Sequence, residues 1–314
     1  MKISLYPPLS IYEIGQRDNQ EDAIVQWDSR LFVLCDGMGG HERGEVASQT
    51  VCSSLAKWFE GNIKDDSFSD DQLREALEYA YTELDAYDDD SPRKMGTTLT
   101  LLYIHNKGVT AAHIGDSRIY HIRPADFGNP RTNPFPLKES LLYRSRDHSL
   151  VFDLLQAGEI TYEEIKTFPQ KNIVTRAMTP GEENRMRPDI IHISDIRPND
   201  WFVLCSDGLL ENMDDYVFVQ RVIANSTETI ISQTINNQDN HSAWLIHVED
   251  VIFEKGDEEF VNEEPTARCN AVNIIPQSVP ETDDDVIIVK EAPKKKSFQQ
   301  RLKQLILSII SRKK

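Results

Sequence analysis

The sequence predicts an α+β protein, with helices in pairs set between runs of short strands. Three observations carry that expectation. Short apolar runs rich in strand formers recur, among them Leu31–Cys35 and Trp201–Cys205. Two stretches between them repeat apolar residues at helical spacing, with one apolar stripe each. Two further apolar runs, 97–104 and 109–114, are joined by His105-Asn106-Lys107-Gly108, the pattern of a hairpin with glycine in its turn.

The elements follow in order. Ile11–Gly15, Ala23–Trp27 and Leu31–Cys35 read as successive strands. The GQRDNQEDA between the first two is too polar for a buried element. Its Arg17, Glu21 and Asp22 form either a solvated turn or a cation and phosphate site on a loop. The third strand ends at Asp36, a Gly-Met-Gly-Gly turn follows, and a helix runs over Arg43–Glu60 with Val46, Val51, Leu55, Trp58 and Phe59 on one face. A second helix starts after the N-cap candidate Ser69 and aligns Leu73, Leu77, Ala80 and Leu84. Such a pair packs on a sheet face. After the hairpin, Ile119–Ile122 is a short strand, 124–138 with four prolines is a surface loop, and Leu141–Tyr143 is one more strand. Residues 147–181 change character: short helices over Ser149–Gln156 and from the Thr161/Glu164 capping box make a subdomain beside the strands. Strands return at Ile190–Ile193, Trp201–Cys205 and Ala243–Val248, with helices over 214–224 and 228–236 between the last two.

Charge divides the chain. Its 34 basic and 52 acidic residues give a net charge of -18. Residues 293–314 hold eight Lys/Arg and no acid, leaving 26 basic against 52 acidic residues in 1–292. That excess argues against nucleic-acid binding by the body, because phosphate backbones need a basic footprint. Residues 252–292, with eleven acids, three bases and scattered prolines, read as a disordered acidic linker. In 293–314, Phe298, Leu302, Leu305, Ile306, Ile309 and Ile310 share one helical face among basic residues. The expected domain is therefore 1–251. Four cysteines without CxxC spacing, no apolar leader and no run of about 18–20 apolar residues predict a cytoplasmic protein.

Acids gather where strands end: Glu21 and Asp22, Asp36, Asp116, Asp207 and Asp239. Two repeat one construction, FVLCDG at 32–37 and FVLCSDG at 202–208. Around Asp36 alone, a cation ligand and an aspartate bonding its own turn are equal readings. Repetition at other strand ends favours the cation. Several carboxylates in one pocket raise one another's pKa, and two divalent ions relieve that repulsion. Such a pair also acidifies a shared water and clamps an in-line displacement at phosphorus. Oxygen donors without histidine or cysteine favour Mg²⁺ or Mn²⁺ over zinc.

RDNQEDA (17–23), DGMGGH (36–41), GTTL (96–99), GDSRIY (115–120), DHSL (147–150), NIVTRAM (172–178), SDGL (206–209) and DN (239–240) stand in the order found in metal-dependent PP2C-type (PPM) protein phosphatases, which residues 11–250 resemble in their bacterial-type pattern. The resemblance implies a β-sandwich of two antiparallel sheets flanked by pairs of antiparallel helices. It implies hydrolysis of phosphoserine and phosphothreonine in proteins by direct attack of a metal-bridging hydroxide, with two Mn²⁺ or Mg²⁺ ions and a third, weaker one. By position, Asp36 bridges the pair and the Gly37 carbonyl reaches one ion. Asp207 and Asp239 complete the other ion, Glu21 and Asp22 act through bound waters, and Asp116 shares the third ion with Asp207. Arg17 matches the guanidinium that grips the phosphate, and 147–170, within the segment to 181, match a flap that tunes access. Met38 stands where animal-type members carry a histidine proposed as the general acid. His41 takes that role here, beside an equal reading as a structural turn residue.

The implied partners are phosphorylated proteins, the substrates of a serine/threonine kinase. A phosphoprotein-binding regulator with weak turnover is the rival reading, and a small-molecule phosphatase a third. Residues 293–314 would contact either an anionic membrane, at the inner surface, or a protein partner.

Overall fold

In the computed structural model, which describes residues 1–39, 43–88, 94–124, 137–165, 167–225 and 227–253, the apolar runs pair into two antiparallel sheets. The strands are β1 (Lys2–Leu5), β2 (Leu9–Glu13), β3 (Asp22–Trp27), β4 (Leu31–Met38), β5 (Gly96–Thr97), β6 (Leu99–His105), β7 (Gly108–Ile114), β8 (Arg118–Ile122), β9 (Leu141–Arg144), β10 (Asp189–Ile193), β11 (Trp201–Cys205) and β12 (His241–Ile252). One sheet has the order β1-β12-β11-β8-β9, with β2 also on β12; the other has β10-β7-β6-β4-β3, with β5 on β4. The helices are α1 (Arg43–Asn62), α2 (Asp70–Asp85), α3 (Leu137–Ser140), α4 (Leu150–Gln156), α5 (Tyr162–Ile165), α6 (Asp215–Ile223) and α7 (Thr227–Thr234).

Period-two alternation builds three hydrophobic layers. Phe32 and Leu34 of β4 point between the sheets, where they meet Phe202 and Leu204 of β11 and Trp244 and Ile246 of β12. Leu31, Val33 and Cys35 point the other way, onto Val51, Leu55 and Phe59 of α1 and Leu73 and Leu77 of α2. Val203 and Cys205 likewise meet Phe218, Val219 and Val222 of α6. Both faces of the central strands are therefore buried, which explains their continuous apolar character. The sequence expectation of a two-sheet sandwich with flanking helices holds.

Local signals also hold where they have a mechanism. The Ser69 side chain accepts from Gln72 N while Gln72 reaches back to the Ser69 N–H, a complete capping box. The expected Asp36 stop is corrected: β4 continues to Met38, because Gly37 and Met38 pair with Thr97 and Gly96 of β5. Periodicity did not reveal β1, a half-buried four-residue strand whose partner is the far end of β12. Of the expected loop at 124–138, residues 125–136 lie outside the described residues, as do the linker and tail over 254–314. Among described residues, no helix is long and apolar enough to cross a membrane.

Candidate metal centre

Strand pairing brings the distant acids to one end of the sandwich. Asp22 and Asp36 stand opposite each other in the β3–β4 ladder. Asp207 follows β11, Asp239 precedes β12, and Asp116 lies in the turn between β7 and β8. The strand-end acids thus become neighbours through the sheets, although they span more than 200 positions of sequence.

Other motif residues hold these acids in place. The Asp36 N–H donates to Thr98 Oγ1 (2.9 Å), which shares a hydrogen bond with Ser117 Oγ (2.7 Å). Thr97 Oγ1 donates to the Asp36 carbonyl (2.9 Å). Ser206 Oγ donates to Asp22 Oδ2 (2.8 Å). The Gly37 N–H donates to the Glu21 carbonyl (3.0 Å). A Cβ on Gly37 would lie 2.0 Å from the Gly44 carbonyl oxygen and 2.7 Å from that of Glu21, so only glycine fits there.

Electrostatics single this group out. Asp22 is fully buried, and its Oδ1 has no hydrogen-bond partner. Burial, with Asp207 and Asp239 nearby, pushes its carboxyl up to about 7. Desolvation raises Asp36 well above the usual range, and Asp22, Asp207, Asp116 and Asp239 add to the effect. Asp116 is raised by desolvation and then by Asp207, and Asp207 by desolvation and then by Asp239. Asp36, Asp116, Asp207 and Asp239 nevertheless keep a solvent-facing edge. Arg17, half exposed, donates from Nη2 to Asp239 Oδ2 at 2.8 Å.

This donor set fits hard divalent cations: it is all oxygen, negatively charged and open to water, and one buried oxygen is unpaired. The acids do not form a tight single-ion cage. Among described residues, the group of three ligand-type side chains whose donor atoms all lie within 4.8 Å is elsewhere, at His113, His148 and Asp189. The wider spacing suits ions that keep part of their water shell.

The His113 group is poorly suited to a cation. His148 Nδ1 accepts from the Gly115 N–H (3.0 Å), which leaves Nε2 as the protonated nitrogen facing Asp189 Oδ2 (3.0 Å). The Arg176 guanidinium already pairs with Asp189 at 3.1 Å.

Sequence reasoning missed a second charged cluster beside the acids. Arg118 donates to both oxygens of Asp147 (2.9 and 2.7 Å) and contacts Asp215 at 3.2 Å; Arg144 contacts Asp147 and Asp215, each at 3.2 Å. The signal was present in the arginine of GDSR and the aspartate of DHSL. His41 lies outside the described residues, and Met38 ends β4.

Comparison with known proteins accords with this geometry. The protein phosphatase 2C family profile matches residues 13–133. The protein phosphatase PhpP of Streptococcus pneumoniae is 32% identical over 250 residues, which cover 74% of this chain and 90% of PhpP. The crystal structure of the Mycobacterium tuberculosis serine/threonine phosphatase PstP/Ppp superimposes with a TM-score of 0.65 at 29% identity, covering 78% of this chain and all of that one. A PstP catalytic domain in complex with two manganese ions gives a TM-score of 0.63 at 28% identity, with 78% and 99% coverage.

Proposed function

Because this chain belongs to the PP2C family of serine/threonine protein phosphatases, we propose that its converging acids hold the divalent ions of that reaction and that Arg17 grips the substrate phosphate. The protein is a metal-dependent phosphatase acting on phosphoproteins, with Mn²⁺ or Mg²⁺ as cofactor. One observation carries the residue assignment: Asp22, Asp36, Asp116 and Asp207 are all raised by desolvation and by neighbouring carboxylates, Asp239 among those acting on Asp22, Asp36 and Asp207. We assign Asp36, the Gly37 carbonyl, Asp207 and Asp239 to the ion pair, with Glu21 and Asp22 acting through water. Asp116, with Asp207, takes a third ion.

When bound, the ions supply Lewis acidity and a water acidified towards neutral pH as the nucleophile. The chain's own residues do the rest. Arg17, anchored at one nitrogen by Asp239, keeps its other donors for phosphate oxygens, a task that suits a planar guanidinium. Ser206 holds the Asp22 carboxylate and Thr98 the Asp36 backbone, so both positions are set before any ligand arrives. His41 is our proposed proton donor to the leaving alkoxide. A nitrophenolate leaving group needs no such proton, so His41→Ala should slow phosphopeptide hydrolysis and spare p-nitrophenyl phosphate. Equal losses on both substrates would remove His41 from that role.

The direct test of the site is Mn²⁺-dependent hydrolysis of a phosphothreonine peptide, abolished by EDTA and by Asp239→Asn. Activity that survives both would overturn the assignment. We further propose a signalling role opposite a serine/threonine kinase in the cytoplasm, with residues 293–314 touching the anionic inner membrane surface. The eight basic residues of that segment support the reading. Equal recovery of full-length and 1–292 protein from anionic vesicles would sink the membrane contact.

A further inference from the structure

Asn240 joins three stretches of chain that local structure leaves unconnected. It is 4% exposed. Its Oδ1 accepts from the Glu21 N–H at 2.8 Å, and its Nδ2 donates to the carbonyls of Ile14 (2.8 Å) and Asn19 (2.9 Å). Its own N–H donates to Asp239 Oδ1 at 2.9 Å. One amide group thus bonds the chain on both sides of Arg17 and ties it to the residue after Asp239.

Little else holds the 14–19 segment. It forms no helix or strand, and its backbone ties are Gln16 N to the Gln238 carbonyl (3.2 Å) and Arg17 N to the Ile14 carbonyl (3.4 Å). Gly15 lets it lie close: φ is +64°, and a Cβ there would fall 2.2 Å from the Asp239 carbonyl oxygen. Close approach permits contact but does not fix register. The three side-chain bonds of Asn240 do, because a carboxamide offers two donors and an acceptor in one plane.

We propose that Asn240 is a positioning residue for phosphate binding: it fixes where the Arg17 guanidinium stands relative to Asp239. This rests on the reading of Arg17 as the phosphate grip. Removing the amide frees two carbonyls and an N–H, and the loop then samples positions in which Arg17 misses the phosphate. A small displacement of a clamp is enough to weaken a bound geometry.

A double-mutant cycle tests this on the full chain with Mn²⁺ present. The readouts are KM and kcat for p-nitrophenyl phosphate and the inhibition constant of inorganic phosphate. Asn240→Ala should raise KM and the inhibition constant about tenfold, while kcat changes by less than about threefold. Asn240→Asp keeps the acceptor for Glu21 and removes both donors, so it carries the test if the alanine variant is unstable. In an Arg17→Ala background the same substitutions should change KM by less than about twofold, because the group they position is gone. An equal factor in both backgrounds overturns the proposal. If Arg17→Ala alone leaves KM and phosphate inhibition unchanged, the reading of Arg17 fails, and this inference fails with it. Calorimetric titration of the substrate-free protein with Mn²⁺ supplies an independent readout. A loss of Mn²⁺ affinity larger than the loss of phosphate affinity would make Asn240 a support of the cation site instead, and would overturn the proposal.

Discussion

Two groups of acids lie side by side at one end of this sandwich, and they are treated in opposite ways. Asp147 and Asp215 are shared between Arg118 and Arg144, and the Tyr120 hydroxyl also donates to Asp215. Burial alone would raise Asp215, but Arg144 and Arg118 hold it down at about 2. Asp22, Asp36, Asp116 and Asp207 receive no comparable set of arginines, and each is pushed up. The contrast teaches how to separate a structural charge from a functional one. A fold that needs acids for its own integrity supplies the counter-charge, whereas a fold that needs them for a cation leaves it out.

The largest effect should come from the uncompensated group. Asp36→Asn should reduce Mn²⁺-dependent turnover of an aryl phosphate by at least about a thousandfold, roughly 4 kcal/mol in activation free energy. The same change should raise the melting temperature in EDTA, because it removes a buried like charge. A lowered melting temperature in EDTA would erase the contrast between the two groups.

Next comes the compensated group. Arg118→Met removes the two-bonded partner of Asp147 and leaves it with Arg144 alone. It should cost about 3–5 kcal/mol of unfolding free energy, read from urea denaturation. A loss under about 1 kcal/mol would mean that Arg144 alone suffices.

The pH responses should run in opposite directions. Asp215, lowered from 3.8 to about 2, contributes stability above about pH 4 that disappears as pH falls towards 2. That contribution is about 2 kcal/mol, read as the difference from Asp215→Asn. Asp22, raised to about 7, favours the fold while protonated, so metal-free protein should lose stability as pH rises from about 4 to 7. Mn²⁺ should suppress that second loss and leave the first untouched. Melting curves against pH, with EDTA and with Mn²⁺, read both slopes, and like slopes would break the comparison.

The smallest effect belongs to Ser206→Ala, which removes the donor to Asp22 Oδ2 and the acceptor for the Ser242 N–H. It should cost about 1 kcal/mol and weaken Mn²⁺ binding slightly, as measured by calorimetry.

Much of this was legible in the residues alone. The apolar runs at 31–35 and 201–205, the stripes of α1 and α2, the Ser69 cap and the acids at strand ends rest on local spacing, and local spacing is a property of sequence. β1 and the extension of β4 to Met38 were not legible, because each exists only through a partner strand far along the chain. The same holds for charge. Sequence supplied Asp22, Asp147, Asp207 and Asp215 as like residues. The GDSR arginine and the DHSL aspartate mark Arg118 and Asp147 as motif residues, but local spacing does not say that they meet each other and Asp215 while Asp22 and Asp207 are left without such partners. Only the packed sheets decided that, as they decided that Asn240 would bond across to Ile14, Asn19 and Glu21. Through-space electrostatics depends on distance and burial, and neither exists until the strands have paired.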